Sequence, residues 1–146
     1  MALSAETAGD RVEQLILLTE RLTELVALEA QAFENRRPQD AAAHVGETSR
    51  LANVYRHESA RVRANPDMVA TASLAQRTRL IRATEAFDAV LARQGRALEA
   101  AKTVTEGLVR AIAEEVANQR QKGVSYDAGG IAPTAGATAI TLNQRA

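Results

Sequence analysis

One apolar stripe constrains this chain more than any other feature. At about 100° per residue, Leu80, Ala83, Phe87, Val90, Leu91, Ala97, Leu98, Ala101, Val104, Leu108, Ile112 and Val116 fall in one sector. That alignment predicts a nearly straight helix from about Leu80 to Gln121, roughly 60 Å long at 1.5 Å per residue. Leu74 and Ile81 lie off the stripe, so residues 66 to about 75 either join this helix or form a separate short one.

Two further helices precede it. Val12, Leu15, Leu18, Leu22, Leu25, Val26 and Phe33 share a stripe that predicts a first helix from about Ala5 to Asn35, with Ser4 as N-cap. Glu6 and Asp10 then sit where acidic groups favour a helix N-terminus. Pro38 ends this helix, because the residue before a proline is pushed out of the α region. It also opens a second helix to Ala64, with a weaker stripe of His44, Thr48, Leu51, Ala52, Tyr55, Ser59 and Val62. So short a connection makes the pair an antiparallel hairpin. Asn65-Pro66-Asp67 marks the next break.

Composition agrees with helices. Hydrophobic residues make up 46% of the 146, but aromatic residues only 3%, and much of the apolar content is alanine. Alanine buries little area and favours helix, so close-packed long helices suit it better than a thick core. Strand-like alternation is missing before residue 124. The expected fold is all-α: an antiparallel helical hairpin packed with a long C-terminal helix, an elongated coiled-coil-like bundle over residues 1–122. Residues 123–146, rich in Gly, Ala and Thr, read as a flexible tail. Within it Thr138-Ala-Ile-Thr-Leu142 alternates weakly enough to form a strand against a partner.

Charge is balanced, with 18 basic and 18 acidic residues, which removes the electrostatic footprint of a nucleic-acid binder. It is unevenly placed. Glu6, Asp10, Glu13, Glu20, Glu24, Glu29 and Glu34 face only Arg11 and Arg21 in the first helix, while arginines outnumber acids between His44 and Arg96. Complementary faces within one bundle explain this most simply. The start Met1-Ala-Leu-Ser-Ala-Glu6 lacks the pattern of a secretion signal, and Leu15-Ile-Leu-Leu18 is too short to span a bilayer. A soluble cytoplasmic protein is expected, and the lack of cysteine fits a reducing compartment.

Chemistry is not expected. His44 and His57 stand thirteen residues apart and form no HExxH pattern. A phosphotransfer histidine would be followed by Lys and Gly three and four residues on. Here those positions are Glu47 and Thr48, or Ala60 and Arg61. Di-iron bundles need Glu three residues before each histidine, where Ala41 and Val54 stand. Asp127-Ala-Gly-Gly130 is no phosphate cradle, and Glu114-Glu115 reads as a solvated face. No catalytic residue, metal ligand or cofactor is predicted.

What remains is the long helix. Two arms of about 25 to 30 residues cover only part of a helix of about 40. The end from Leu98 to Val116 should therefore expose an apolar strip, which marks an interface. Partner binding along that strip, or closure of a homodimer by it, are the two readings.

The segments Arg93-Gln-Gly-Arg-Ala-Leu98 and Val124-Ser-Tyr-Asp-Ala-Gly-Gly130, behind an N-terminal hairpin, resemble the FlgN family of flagellar export chaperones. Gln94 stands where that family has asparagine, and Leu98 follows Gly95 by three residues rather than two. The resemblance implies a cytoplasmic chaperone that binds helical termini of hook–filament junction (hook-associated) proteins. It would deliver them to the flagellar type III export apparatus. It places client binding on Leu98, Ala101, Leu108, Ile112 and Val116. A homo-oligomeric coiled-coil scaffold and a phasin-like granule coat are the alternatives.

Overall fold

The computed structural model describes residues 3–127, and every element in that range is helical. Helix α1 spans Ala8–Glu34, a 3-10 turn spans Pro38–Ala41, and α2 spans Ala42–Ala64. A single turn, α3, covers Asp67–Ala70, and α4 runs Leu74–Asp127. The expected all-α hairpin with a long C-terminal helix is the observed architecture. The chain divides into two compact units at Lys102/Thr103. The described part of the second, residues 103–127, is the C-terminal half of α4.

Helix boundaries follow from caps. Thr7, not Ser4, caps α1: its hydroxyl accepts the Asp10 N–H at 3.1 Å from an extended backbone. Ser4 is drawn elsewhere, its carbonyl accepting the Gln14 amide at 2.6 Å. At the other end Arg36 takes φ +58, with its N–H on Phe33 O and the Arg37 N–H on Ala32 O. This is the left-handed closure usually given to glycine. Pro38 opens the 3-10 turn rather than α2 itself.

Residues 66–73 form a turn of their own, and α4 starts six residues before the expected Leu80. The cause is a reciprocal cap: Ser73 Oγ accepts the Gln76 N–H, and Gln76 Oε1 accepts the Ser73 N–H, each at 3.1 Å. At its far end α4 passes Gly123 and continues to Asp127, beyond the end expected near Gln121. The strand expected at Thr138–Leu142, and the rest of the expected tail from residue 128 on, lie outside the described residues.

In the first unit α1 and α4 run parallel and α2 antiparallel to both. Glu13 and Glu34 of α1 pair with Arg79 and Arg93 of α4 in the same order, whereas Arg11 and Arg21 meet Glu58 and Glu47 of α2 in reverse order. Leu18, Leu22, Val26 and Phe87 form the main core, closed by Leu51, Val54 and Tyr55 of α2. The Tyr55 ring stands edge-on to Phe87 with centroids 5.2 Å apart. A second cluster, Val12, Ile16 and Ala72 with Val69 and Leu80, seals the end where α3 turns the chain.

Two buried carboxylates set the register. Glu58, 0% exposed, accepts from the Leu3 N–H, Arg11 and Arg61, each at 3.0 Å. Burial pushes its carboxyl up, but those hydrogen bonds and the charges of Arg61 and Arg11 outweigh it and hold the group below the usual range. Glu29 accepts from Thr48 of α2 at 2.8 Å and from Gln94 of α4 at 2.7 Å, so one side chain ties three helices together.

Candidate partner-binding face of α4

Between residues 80 and 97 the apolar stripe of α4 is an interior surface. Ala83, Phe87 and Ala97 are buried, and Leu80 and Val90 pack against the two core clusters. At Glu34, where α1 ends, Arg93 binds both carboxylate oxygens at 2.6 and 2.8 Å. The guanidinium holds the Glu34 carboxyl below its usual range.

In the second unit the same 3.6-residue spacing recurs on open helix. Val104, Leu108, Val109, Ile112 and Val116 are 57, 60, 61, 55 and 43% exposed. Of the residues expected to bind a partner, Leu108, Ile112 and Val116 lie in this open row. Leu98 is also exposed and Ala101 is half-buried, both within the first unit. Val104 and Val109 belong to the row although sequence reasoning did not place them in the site. Val104 was on the predicted stripe, and Val109 sits one residue beyond Leu108 at the stripe's edge. A helix packed from one side only would leave such an edge position wet, which is why its periodicity gave little signal.

One ionisable side chain, Glu115, falls within this row in projection, between Val104 and Leu108. Arg110 and Glu114 project from the opposite face, and Glu115 accepts the Gln119 amide at 3.1 Å. The row exposes mainly aliphatic area. Elsewhere in the first unit a cavity of about 210 Å³ opens between Leu15, Tyr55, Val62 and Leu80. The Thr19 and Thr84 hydroxyls on its wall donate to their own helix carbonyls, at 2.7 and 2.9 Å, so they are already committed. His57 lies exposed on α2 and His44 half-buried beside the Thr48 turn. Among the described residues no acidic, His or Cys cluster could hold a metal, and no helix is long and apolar enough to cross a membrane.

A flagellar basal-body protein of Caulobacter vibrioides, FlbY, is 64% identical to this chain over 150 aligned positions that span 100% of both proteins. The chain belongs to the FlbY family. No protein-family profile matches it, and no solved structure does. FlbY kinship makes this a flagellar protein, which is the broader half of what the segment Arg93–Leu98 implied. In this FlbY-family chain that segment has a structural use. Gln94, at the position of the FlgN-type asparagine, is the amide that reaches Glu29, and Arg93 is the clamp on Glu34. Gly95 is exposed, with nothing within 4 Å of where a Cβ would stand.

Proposed function

We propose that the chain is a flagellar export chaperone of FlgN type, acting in the cytoplasm without cofactor, metal or catalytic residue. It holds the amphipathic helical terminus of a hook–filament junction protein on α4 and hands that client to the type III export apparatus. The observation that carries this reading is the exposed aliphatic row Leu108, Ile112 and Val116 of the second unit; the resemblance assigns Leu98 and Ala101 to the same role. Junction proteins polymerise through helical termini, so covering such a terminus with another helix prevents premature assembly. FlbY kinship supplies the flagellar setting.

A second reading draws on the relative's name, a basal-body protein. It makes the chain a structural subunit whose α4 row packs on other copies of itself.

One experiment separates them. The tagged chain and its Leu108→Asp variant are used for affinity capture from flagellated native cells, with mass spectrometry of what is bound. Burying one leucine is worth about 1.5–3 kcal/mol. An aspartate there should therefore cut recovery of junction proteins at least about tenfold, with the melting temperature unchanged. Recovery of the chain alone overturns the chaperone reading, and undiminished capture of junction proteins by the variant overturns the assignment of client binding to the Leu108 row.

A further inference from the structure

The first unit carries a furrow on one side and, on the opposite side, a ridge of matching spacing and charge. The furrow runs between α2 and α4. Ser59 of α2, with Ala52 one heptad before it, faces Thr84 of α4 across the gap, and side chains so small leave open the cavity of about 210 Å³ over Leu15 and Thr19 of α1. Leu80 lines that cavity. Leu91 lies on the same side of α4, eleven residues and about 16 Å further along, and is 41% exposed. On the α2 wall stand Arg56 and Arg63. Arg56 donates to the Asn53 side-chain oxygen at 2.7 Å, and among the described residues neither arginine pairs with a carboxylate. The α4 wall carries Arg77 and Asp88.

The ridge is the outward face of α1. Leu17 and Leu28 are 63 and 43% exposed there, and they too stand eleven residues apart. In projection Glu20 and Glu24 flank this pair on one side and Arg21 on the other. Laid antiparallel to α4 in the furrow of another copy, the ridge brings Leu28 onto Leu80 and Leu17 onto Leu91. At that register Glu20 and Glu24 fall within one turn of Arg56, and Arg21 falls beside Asp88. The reverse direction exchanges the flanks and sets Arg21 against Arg56. Two furrows do not fit face to face, because the arginines of each would oppose those of the other.

We infer that copies of this chain associate head to tail, the α1 ridge of one seated in the α2–α4 furrow of the next. Each copy contributes two different surfaces, so the contact repeats until a ring closes or an open filament grows. Its charged flanks make it weaken with salt. All its residues belong to the first unit, so it stands or falls independently of the client site on the far half of α4.

The chain has no cysteine, which makes the contact readable by disulfide trapping. Full-length Leu17→Cys and Leu91→Cys chains are oxidised separately and as a mixture. The two positions lie on opposite faces of one copy, so a bond between them joins two copies. The expected result is a mixed dimer at least about tenfold more abundant than either homodimer at low salt, and suppressed at high salt. Adding Glu20→Arg to the Leu17→Cys chain should lower that yield about tenfold, and adding Arg56→Glu to the Leu91→Cys chain should restore it. Circular dichroism melts confirm that the variants fold. A mixed dimer no more abundant than the homodimers, or a yield indifferent to the charge exchange, overturns the inference. So does sedimentation of the unsubstituted chain as a monomer at every concentration. Association abolished by Leu108→Asp but not by Arg56→Glu overturns it too, and assigns self-contact to the α4 row.

Discussion

Replacing Glu58 by glutamine should remove more stability than any other single-atom change in this protein. The carboxylate is 0% exposed and receives three donors, from the Leu3 N–H, Arg11 and Arg61. An amide offers one oxygen and turns an NH2 toward the other donors. Arg61, whose side chain is 37% exposed, recovers water. Arg11, at 11%, cannot. The loss is therefore about one buried, charge-assisted hydrogen bond with its donor left unpaired, about 2–3 kcal/mol. For a unit near 100 residues that lowers the melting temperature by about 10–15 °C. The cost must also depend on pH in a definite direction. The folded Glu58 carboxyl is held below its ordinary value, so its stabilisation is complete above the unfolded value and fades as pH falls through the folded one. Wild type and variant should then differ fully at neutral pH and converge below about pH 4.3. Thermal melts followed by circular dichroism across pH, with Arg11→Met and the double variant completing a cycle, decide it. A loss under about 0.5 kcal/mol, or additive costs for the two single variants, would refute the buried-pair argument.

Three other outcomes are expected. Arg36→Gly should stabilise the chain by about 0.5–1 kcal/mol, since φ +58 is costly for any residue with a Cβ, and chemical denaturation would register it as a higher midpoint. Phe87→Ala should cost about 3–5 kcal/mol by opening a cavity among Leu18, Leu22, Val26 and Tyr55, visible as cooperative loss of the first unit's melting transition. Gly107→Ala should raise helix content by favouring α4 by about 0.5–1 kcal/mol, because nothing lies within 4 Å of the added Cβ and only propensity changes. Far-UV circular dichroism would detect it.

The helices were legible because their signals are local. Regular apolar spacing along residues 80–116, Pro38, and Asn65-Pro66 marked two arms and a long helix, and all of these stand in the structure. What was not legible depends on contacts between residues far apart in sequence. Ser4 and Thr7 are equally fit to cap, and the choice between them is made by Leu3, whose N–H is drawn to Glu58 fifty-five residues away. The start of α4 was different: Ser73-Leu-Ala-Gln76 is a capping box in plain sequence, overlooked because Leu74 lies off the stripe and is exposed. Charge asymmetry was read correctly in kind, since Glu13 and Glu34 do meet Arg79 and Arg93. Glu58 stands at helical spacing from Leu51, Val54, Tyr55 and Val62, so its inward position was legible; that it stays a buried carboxylate depends on Leu3 and Arg11, which are distant in sequence.

The segment that carried the family resemblance shows how a motif and its use can part. Arg93 and Gln94 sit at the level where α1 ends, and both are spent on α1: one on Glu34 at the rim, one on Glu29 inside. Gln94 is half-buried on Glu29, whereas Arg93 keeps its side chain 39% exposed beside Glu34. A glutamine can make that inward bond where a shorter asparagine would stop about one methylene short. The substitution that sets this chain apart from the FlgN pattern thus goes with a reach across to Glu29. On the proposed reading recognition falls to the aliphatic row beyond, where side-chain length and branching, rather than a polar signature, would decide what fits. Family-wide polar motifs would then be poor guides to the partner, and the spacing of Val104, Leu108, Val109, Ile112 and Val116 a better one.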